Sequence, residues 1–241
     1  KIGDNDSKFI DRIFENGLEK YLNRISRIGF ENKERVLDAG CGFGQWSLSL
    51  ASKNNNVFSC DSSSIRIEFI KDLCKSLEIK NIYLSLANLN SLEYPDNYFD
   101  AVFCYGVIFL TPWKETIGQF RRILKPGGKI YVNFNDIGWY LFLWETEHNK
   151  ATDYDPKLVA SKAFLQTIRY ERNQLSYVKG DHYIISTNEM REFLNKNGFK
   201  QIQSGPEGSV TLENKTIPNE PFFKDEYKGM PCVQELLATK I

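Results

Sequence analysis

Hydrophobic positions near the start of the chain recur every three or four residues: Ile10, Ile13, Phe14, Leu18, Tyr21, Leu22, Ile25 and Ile28. That spacing predicts one amphipathic helix. The period then shortens. Apolar runs occur at 35–39 (RVLDA), 56–60 (NVFSC), 81–86 (NIYLSL), 99–105 (FDAVFCY) and 129–134 (KIYVNF), with helical patterns between them at roughly 45–53, 63–77 and 113–124. Short strands alternating with helices predict βαβ units and a parallel sheet. Thr111 and Pro112 suit a helix cap and first turn, and KPGGK at 125–129 stops that helix.

Past Phe134 the alternation breaks for about fifty residues rich in Trp, Tyr and charge, which reads as an insertion. A helix returns at 186–199, with Ser186 or Thr187 as its start and Gly198 as its stop. Strands at 200–204 and 232–241 follow, separated by a loop containing Pro and Gly, which brings the expected total to seven. The boundaries implied are an N-terminal helical cap over 1–34, a binding core over 35–134, an inserted lid over 135–185, and a closing helix and strand pair over 186–241, all in one domain.

Composition adds exclusions. The 31 basic and 31 acidic residues cancel, so no basic excess marks a nucleic-acid footprint. The five cysteines, Cys41, Cys60, Cys74, Cys104 and Cys232, contain no C-x-x-C pair, which argues against a metal site or disulfide framework and fits a reducing cytoplasm. The longest aromatic-aliphatic run, 137–144, falls far below the ~20 residues that span a bilayer, and no leader pattern opens the sequence. The expected protein is cytoplasmic, away from the membrane. A sequon at Asn214 matters only in a secretory setting.

The candidate chemistry begins at VLDAGCGFG, 36–44, where Gly40, Gly42 and Gly44 alternate behind an apolar strand. A dinucleotide fingerprint needs another glycine where Gln45 stands, and no Gly-Lys-Ser/Thr follows for a P-loop. Asp38 ahead of the loop repels a pyrophosphate and attracts an ammonium group. Asp61 ends the second strand, where such sheets read ribose hydroxyls. Two hydroxyls can donate to one carboxylate. Together these groups describe a nucleoside that bears an amino group and lacks a pyrophosphate.

At this point the sequence resembles the class I S-adenosylmethionine-dependent methyltransferases. The glycine motif, Asp61, the stretch 86–110 and RRILKPGGKIYV at 121–132 appear in the family's order across 36–134, and the tail from Thr187 fits its last helix and reversed strand pair. The resemblance implies a Rossmann-like α/β fold, a seven-stranded mostly parallel sheet with the last strand antiparallel. It implies S-adenosylmethionine as cofactor and S-adenosylhomocysteine as product. By position, Gly40, Cys41, Gly42 and Gly44 form the loop against the methionine part, with Asp38 near its ammonium. Asp61 takes the ribose hydroxyls with Ser62 behind it, and the Cys104 carbonyl faces the ammonium. Asn88 stands where the family usually has an acid for the adenine amine, with Leu89 meeting the ring through its backbone amide. As side chains, Cys41 and Cys104 read as small packed residues.

A hydroxyl acceptor loses its proton as it attacks, so a base is expected. The histidine common in small-molecule relatives past the fourth strand is absent, since that region reads YGVIFLTPW. The candidates are His182 and His148, the only histidines, with Tyr105 lining the methyl channel. The acceptor is expected between the first helix and the insertion, where Trp139, Phe142 and Trp144 offer aromatic faces and Asp136, Glu145 and Glu147 offer carboxylates. Such a wall suits a sugar or another polar ring. The first expectation is therefore methyl transfer to a hydroxyl of a sugar or glycan precursor. A small-amine N-methyltransferase and a non-catalytic cofactor-binding module are the alternatives. The fourth strand lacks the Asp/Asn-Pro-Pro-Tyr/Phe sequence that receives a base amine, which disfavours nucleic acid.

Overall fold

The computed structural model describes residues 4–174, 180–212 and 221–241; the sequon at Asn214 lies outside them. Two helices, α1 (Asp4–Phe14) and α2 (Glu19–Arg27), precede the sheet. The hydrophobic spacing predicts one helix here, and the structure has two. Gly17 adopts φ +67°, a left-handed conformation that ends the first helix and turns the chain before Leu18.

Then follow β1 (Arg35–Ala39), α3 (Gln45–Ala51), β2 (Asn56–Asp61), α4 (Ser64–Ser76), β3 (Ile82–Leu86), β4 (Phe99–Cys104), α5 (Trp113–Ile123) and β5 (Leu124–Asn135). The insertion holds α6 (Ile137–Thr146) and α7 (Pro156–Glu171), and the chain closes with α8 (Thr187–Lys196), β6 (Phe199–Pro206) and β7 (Val233–Lys240). The seven strands lie in the order β3-β2-β1-β4-β5-β7-β6. Strands β1 to β5 run parallel, and β7 is antiparallel to both β5 and β6.

Alternation along the strands sends side chains to two cores, as the two-residue period of a strand requires. Val36, Val57, Ala101 and Phe103 pack under α2 and α3 with Ile25, Trp46 and Leu50. Leu37, Val102, Ile130 and Val132 pack under α5 and α8 with Ile117, Phe120 and Leu194. Strand order reverses between β1 and β4, and ligands of such sheets bind in the crevice beyond the strand ends there.

The start of α5 differs from expectation, and that of α8 falls at Ser186 and Thr187 as expected but is held by another residue. Pro112, not Thr111, occupies the cap of α5, and Thr111 turns its hydroxyl to the Ile108 carbonyl at 2.7 Å. Ser186 caps α8 without a side-chain bond. The Thr187 amide donates instead to Asp136 Oδ2 at 3.0 Å, while Asp136 Oδ1 accepts from Ile137 N at 2.7 Å at the start of α6. One carboxylate therefore ties the inserted segment to the closing helix. Among the described residues no helix is long and apolar enough to cross a membrane, and none of the His, Cys, Asp and Glu residues cluster as a metal site.

Candidate cofactor and acceptor site

The glycine loop is bolted to the end of β2: the amides of Gly40 and Cys41 both donate to the Cys60 carbonyl, at 2.8 and 3.0 Å. Gly40, Gly42 and Gly44 all have positive φ (83°, 55° and 90°). A Cβ on Gly40 would meet Val107 Cγ2 at 2.5 Å, whereas one on Gly42 would meet nothing within 4 Å. The loop is tight beneath Gly40 and open above Gly42, as a cradle for a ligand requires.

Asp61 closes the loop's other side. Its Oδ2 accepts from Gly42 N at 3.1 Å and its Oδ1 from Ser63 N at 2.9 Å, while Arg66 lies 3.8 Å away. Each oxygen keeps a further lone pair for a hydroxyl. A chamber of about 160 Å³ starts there, with Gly40, Ser62, Asn88 and Leu89 also on its walls.

Asp38 is placed differently. It is 1% exposed and accepts from Ser47 Oγ on α3 at 2.6 Å. Burial pushes its carboxyl up to about 7, Ser47 opposing and the charge of Asp61 adding to the shift. It lies behind the loop rather than on a chamber wall. Burial likewise pushes the thiols of Cys41 and Cys104 well up, which keeps them protonated and packed.

A second chamber, about 350 Å³, continues from the first across Gly40, Arg66, Val107 and Leu110. Tyr105 and His182 both face it. Burial pushes His182 down to about 4, so its ring is neutral near pH 7, and its Nδ1 sits 3.4 Å from the Tyr140 hydroxyl. A third chamber, about 310 Å³, opens beyond Trp46, Tyr105, Trp139 and Phe223 toward α1 and α2. His148 lies on this outer one, its ring 5.0 Å from that of Phe142, and not beside His182.

The carboxylates expected on the acceptor wall are committed elsewhere. Asp136 holds two helix starts, Glu145 pairs with Lys228 and Tyr227, and Glu147 pairs with Lys150 and Lys157. Of the three α6 aromatics only Trp139 lines the chambers; Phe142 packs on His148, and Trp144 is 45% exposed. The reason is local: α6 turns one face to β5 and α7, and its acids lie at the solvent end with lysines in reach.

Beneath the chambers lies a buried charge cluster that the sequence pattern did not flag. Arg24 donates to Glu207 Oε1 at 2.5 Å, Glu235 Oε2 at 3.0 Å and the Tyr131 hydroxyl at 3.1 Å. Burial works against its charge, but Tyr131, Glu207 and Glu235 outweigh that and raise its pKa. Glu207 also accepts from the Tyr105 hydroxyl at 2.9 Å and, through Oε2, from Phe222 N at 2.7 Å. Arg24 occupies the apolar face of α2 between Tyr21 and Ile28, and a charge at such a position is the signal that would have revealed it. Phe222 and Phe223 stand in the Pro- and Gly-containing loop and carry no periodic signal.

Residues 36–128 match the family model described as a methyltransferase domain. Over that stretch, the glycine loop and the strands around it, the chain is similar to the S-adenosylmethionine-dependent methyltransferases. The chain is 27% identical over 141 residues to a demethylmenaquinone methyltransferase of Oceanobacillus iheyensis, covering 50% of this chain and 59% of the relative. The chain spans about half the length of the curated relatives it matches. Among solved structures, a Haemonchus contortus phosphoethanolamine N-methyltransferase 2 in complex with S-adenosyl-L-methionine superposes with a TM-score of 0.64 at 18% identity, covering 95% of this chain and 55% of that one. The [4+2]-cyclase SpnF superposes at 0.61 and 18% identity, covering 92% and 81%. These two likenesses are of fold.

S-adenosylmethionine, the cofactor of the proteins this chain resembles, fits the first two chambers. Asp61 and Asn88 offer acceptor oxygens for hydroxyls and an amine, and the open face of Gly42 leaves room for the ligand. Gln45 Oε1 is buried without a partner on the wall of the second chamber. A buried orphan acceptor costs about 1–3 kcal/mol, which a donor on a bound ligand removes.

Proposed function

We propose that the chain transfers a methyl group from S-adenosylmethionine to a hydroxyl of a small planar molecule seated in the aromatic chambers. One observation carries this reading: the cradle at Asp61 shares a wall with the chamber of Tyr105 and His182, and that chamber shares one with the aromatic chamber. Bound in the cradle, S-adenosylmethionine supplies an already activated methyl group.

The chain's residues do the rest. Asp61 and Asn88 hold the nucleoside, and the backbone at Gly40 and Gly42 admits the methionine part, with the buried Asp38 stiffening the loop from behind through Ser47. Trp46, Trp139 and Phe223 exclude water and fix the acceptor's plane, so that alignment supplies much of the rate. Because the Tyr105 hydroxyl donates its hydrogen bond to Glu207, its oxygen is left to accept from the acceptor's hydroxyl. His182, neutral and facing the same chamber, takes the proton as that hydroxyl reacts.

A sugar hydroxyl loses support because the carboxylates meant to read the other hydroxyls point away. A planar ring keeps its support in the stacked and tilted aromatics, and in a relative whose name carries demethylmenaquinone. The amine reading draws on the capacity of aromatic walls for cations and on the neighbour named for phosphoethanolamine. Five buried free thiols suit a reducing cytoplasm.

Because a cyclase shares this fold, activity must be measured and not assumed. Calorimetric titration with S-adenosylmethionine, followed by S-adenosylhomocysteine release over a panel of phenols, sugars and amines, tests the reading. Turnover on phenols supports it. Binding without turnover on any acceptor makes the chain a cofactor-binding module, and no binding sinks the reading.

A further inference from the structure

The outer chamber has a one-sided charge. Among the described residues no Asp or Glu lines it or the middle chamber, whereas Arg12 and Lys20 stand at its wall. Lys20 Nζ lies 5.2 Å from the ring centres of both Tyr21 and Phe222, which stack at 5.4 Å and 13°. Arg12 Cζ lies 5.2 Å over Phe9. Neither cation forms an ion pair with a carboxylate of the described residues.

A third donor belongs to the same wall. Trp46 is 3% exposed, lines both chambers, and its indole N–H is buried without a partner. A buried unpaired donor is costly unless a ligand accepts from it. The nearby acids do not neutralise this wall. Glu207 lies behind Phe222 and is taken by Arg24, the Tyr105 hydroxyl and the Phe222 amide. Glu235 is held by Arg24 and Tyr131, and burial shifts it toward its neutral form.

We propose that this chamber selects an acceptor bearing a carboxylate on its aromatic ring, the carboxylate held by Lys20, Arg12 and the Trp46 N–H, and that it rejects cationic acceptors. This rests on the reading of a planar hydroxyl acceptor given above. The ring lies among Trp46, Tyr105, Trp139 and Phe223, with the reacting hydroxyl toward Tyr105 and His182 and the acid group toward α1 and α2. Two point charges and a single N–H, with no run of backbone amides, suit a compact monoanion rather than a phosphate.

Trp46 and Trp139 report binding by fluorescence, so the test does not depend on turnover. The intact chain, saturated with S-adenosylhomocysteine, is titrated with 4-hydroxybenzoate, its neutral amide and tyramine. The acid is expected to bind about tenfold tighter than the amide, with tyramine weakest, and added salt should weaken the acid alone. Lys20→Gln and Arg12→Gln should each shrink the preference toward about twofold, while the affinity for S-adenosylhomocysteine stays unchanged. An amide that binds as tightly as the acid, or a preference that survives both substitutions, overturns the inference and leaves the planar-acceptor reading standing. Binding of none of the three, with the cofactor product still bound, overturns both.

Discussion

The Tyr105 hydroxyl donates to Glu207 Oε1 at 2.9 Å, and the same oxygen accepts from Arg24 at 2.5 Å. A residue at the end of β4 is thereby fixed to α2 and to the chain beyond β6. Tyr105 lines the second and the outer chamber, so the wall they share is set by a charge cluster out of water's reach.

Tyr105→Phe keeps the ring and removes the oxygen. We expect little change in stability, about 1 kcal/mol, and unchanged cofactor affinity. Turnover should fall by about 10- to 100-fold, because a misplaced acceptor hydroxyl loses alignment. Steady-state kinetics beside a urea melt measures both. A Phe variant with wild-type turnover removes Tyr105 from the positioning of the acceptor.

Arg24→Met leaves Glu207 and Glu235 buried without their cation. Breaking a buried pair in this way costs about 3–5 kcal/mol, and urea unfolding should show a loss of that order. Arg24→Met combined with Glu207→Gln should cost less than the two changes summed, since they share one interaction. A loss below about 1 kcal/mol for Arg24→Met would mean that the cluster is effectively solvated.

His182→Ala should abolish turnover while leaving the cofactor titration unchanged. Its lowered pKa, about 4 against 6.5, also gives a pH signature. The ring is neutral in the folded protein above about 4, so its stabilising contribution is present above 6.5 and is lost as pH falls through 4. Base function should persist to pH 5 and fail as pH falls through about 4. Retained turnover in the Ala variant would place proton removal elsewhere.

Asp38 titrates in the opposite sense. Its carboxyl is raised from 3.8 to about 7, so between these values the folded state holds a proton that the unfolded chain has lost. Stability from this group is full below 3.8 and is lost as pH rises through 7. Asp38→Asn keeps an oxygen for Ser47 and removes the titration, so its melting temperature should gain on the wild type from pH 5 to pH 8. Parallel curves would show that Asp38 is charged throughout.

Much of this arrangement was legible in the sequence, because it is written in local pattern. The runs at Val36, Val57 and Val102 announce strands by alternation and apolarity, and Gly40, Gly42 and Asp61 announce a cradle by position at strand ends. What was not legible is non-local. Gly17 interrupts an otherwise continuous helical period, and only its φ of +67° shows that it breaks the helix. The acids of the insertion carry no mark of partner or direction, so Glu145 and Glu147 read as site groups although lysines occupy them. Arg24, Glu207 and Glu235 meet across separations of 183 and 211 residues, and Phe222 joins the outer wall from an irregular loop.

The cradle formed by Gly40 and Asp61 is the centre of the account, and calorimetric titration with S-adenosylmethionine tests it most directly. The wild-type chain should bind one equivalent. Gly40→Val, whose added carbons collide with Val107, and Asp61→Ala, which removes the hydroxyl acceptor, should each lose at least about tenfold in affinity. Equal affinity in all three proteins, or no binding by the wild type, would contradict it.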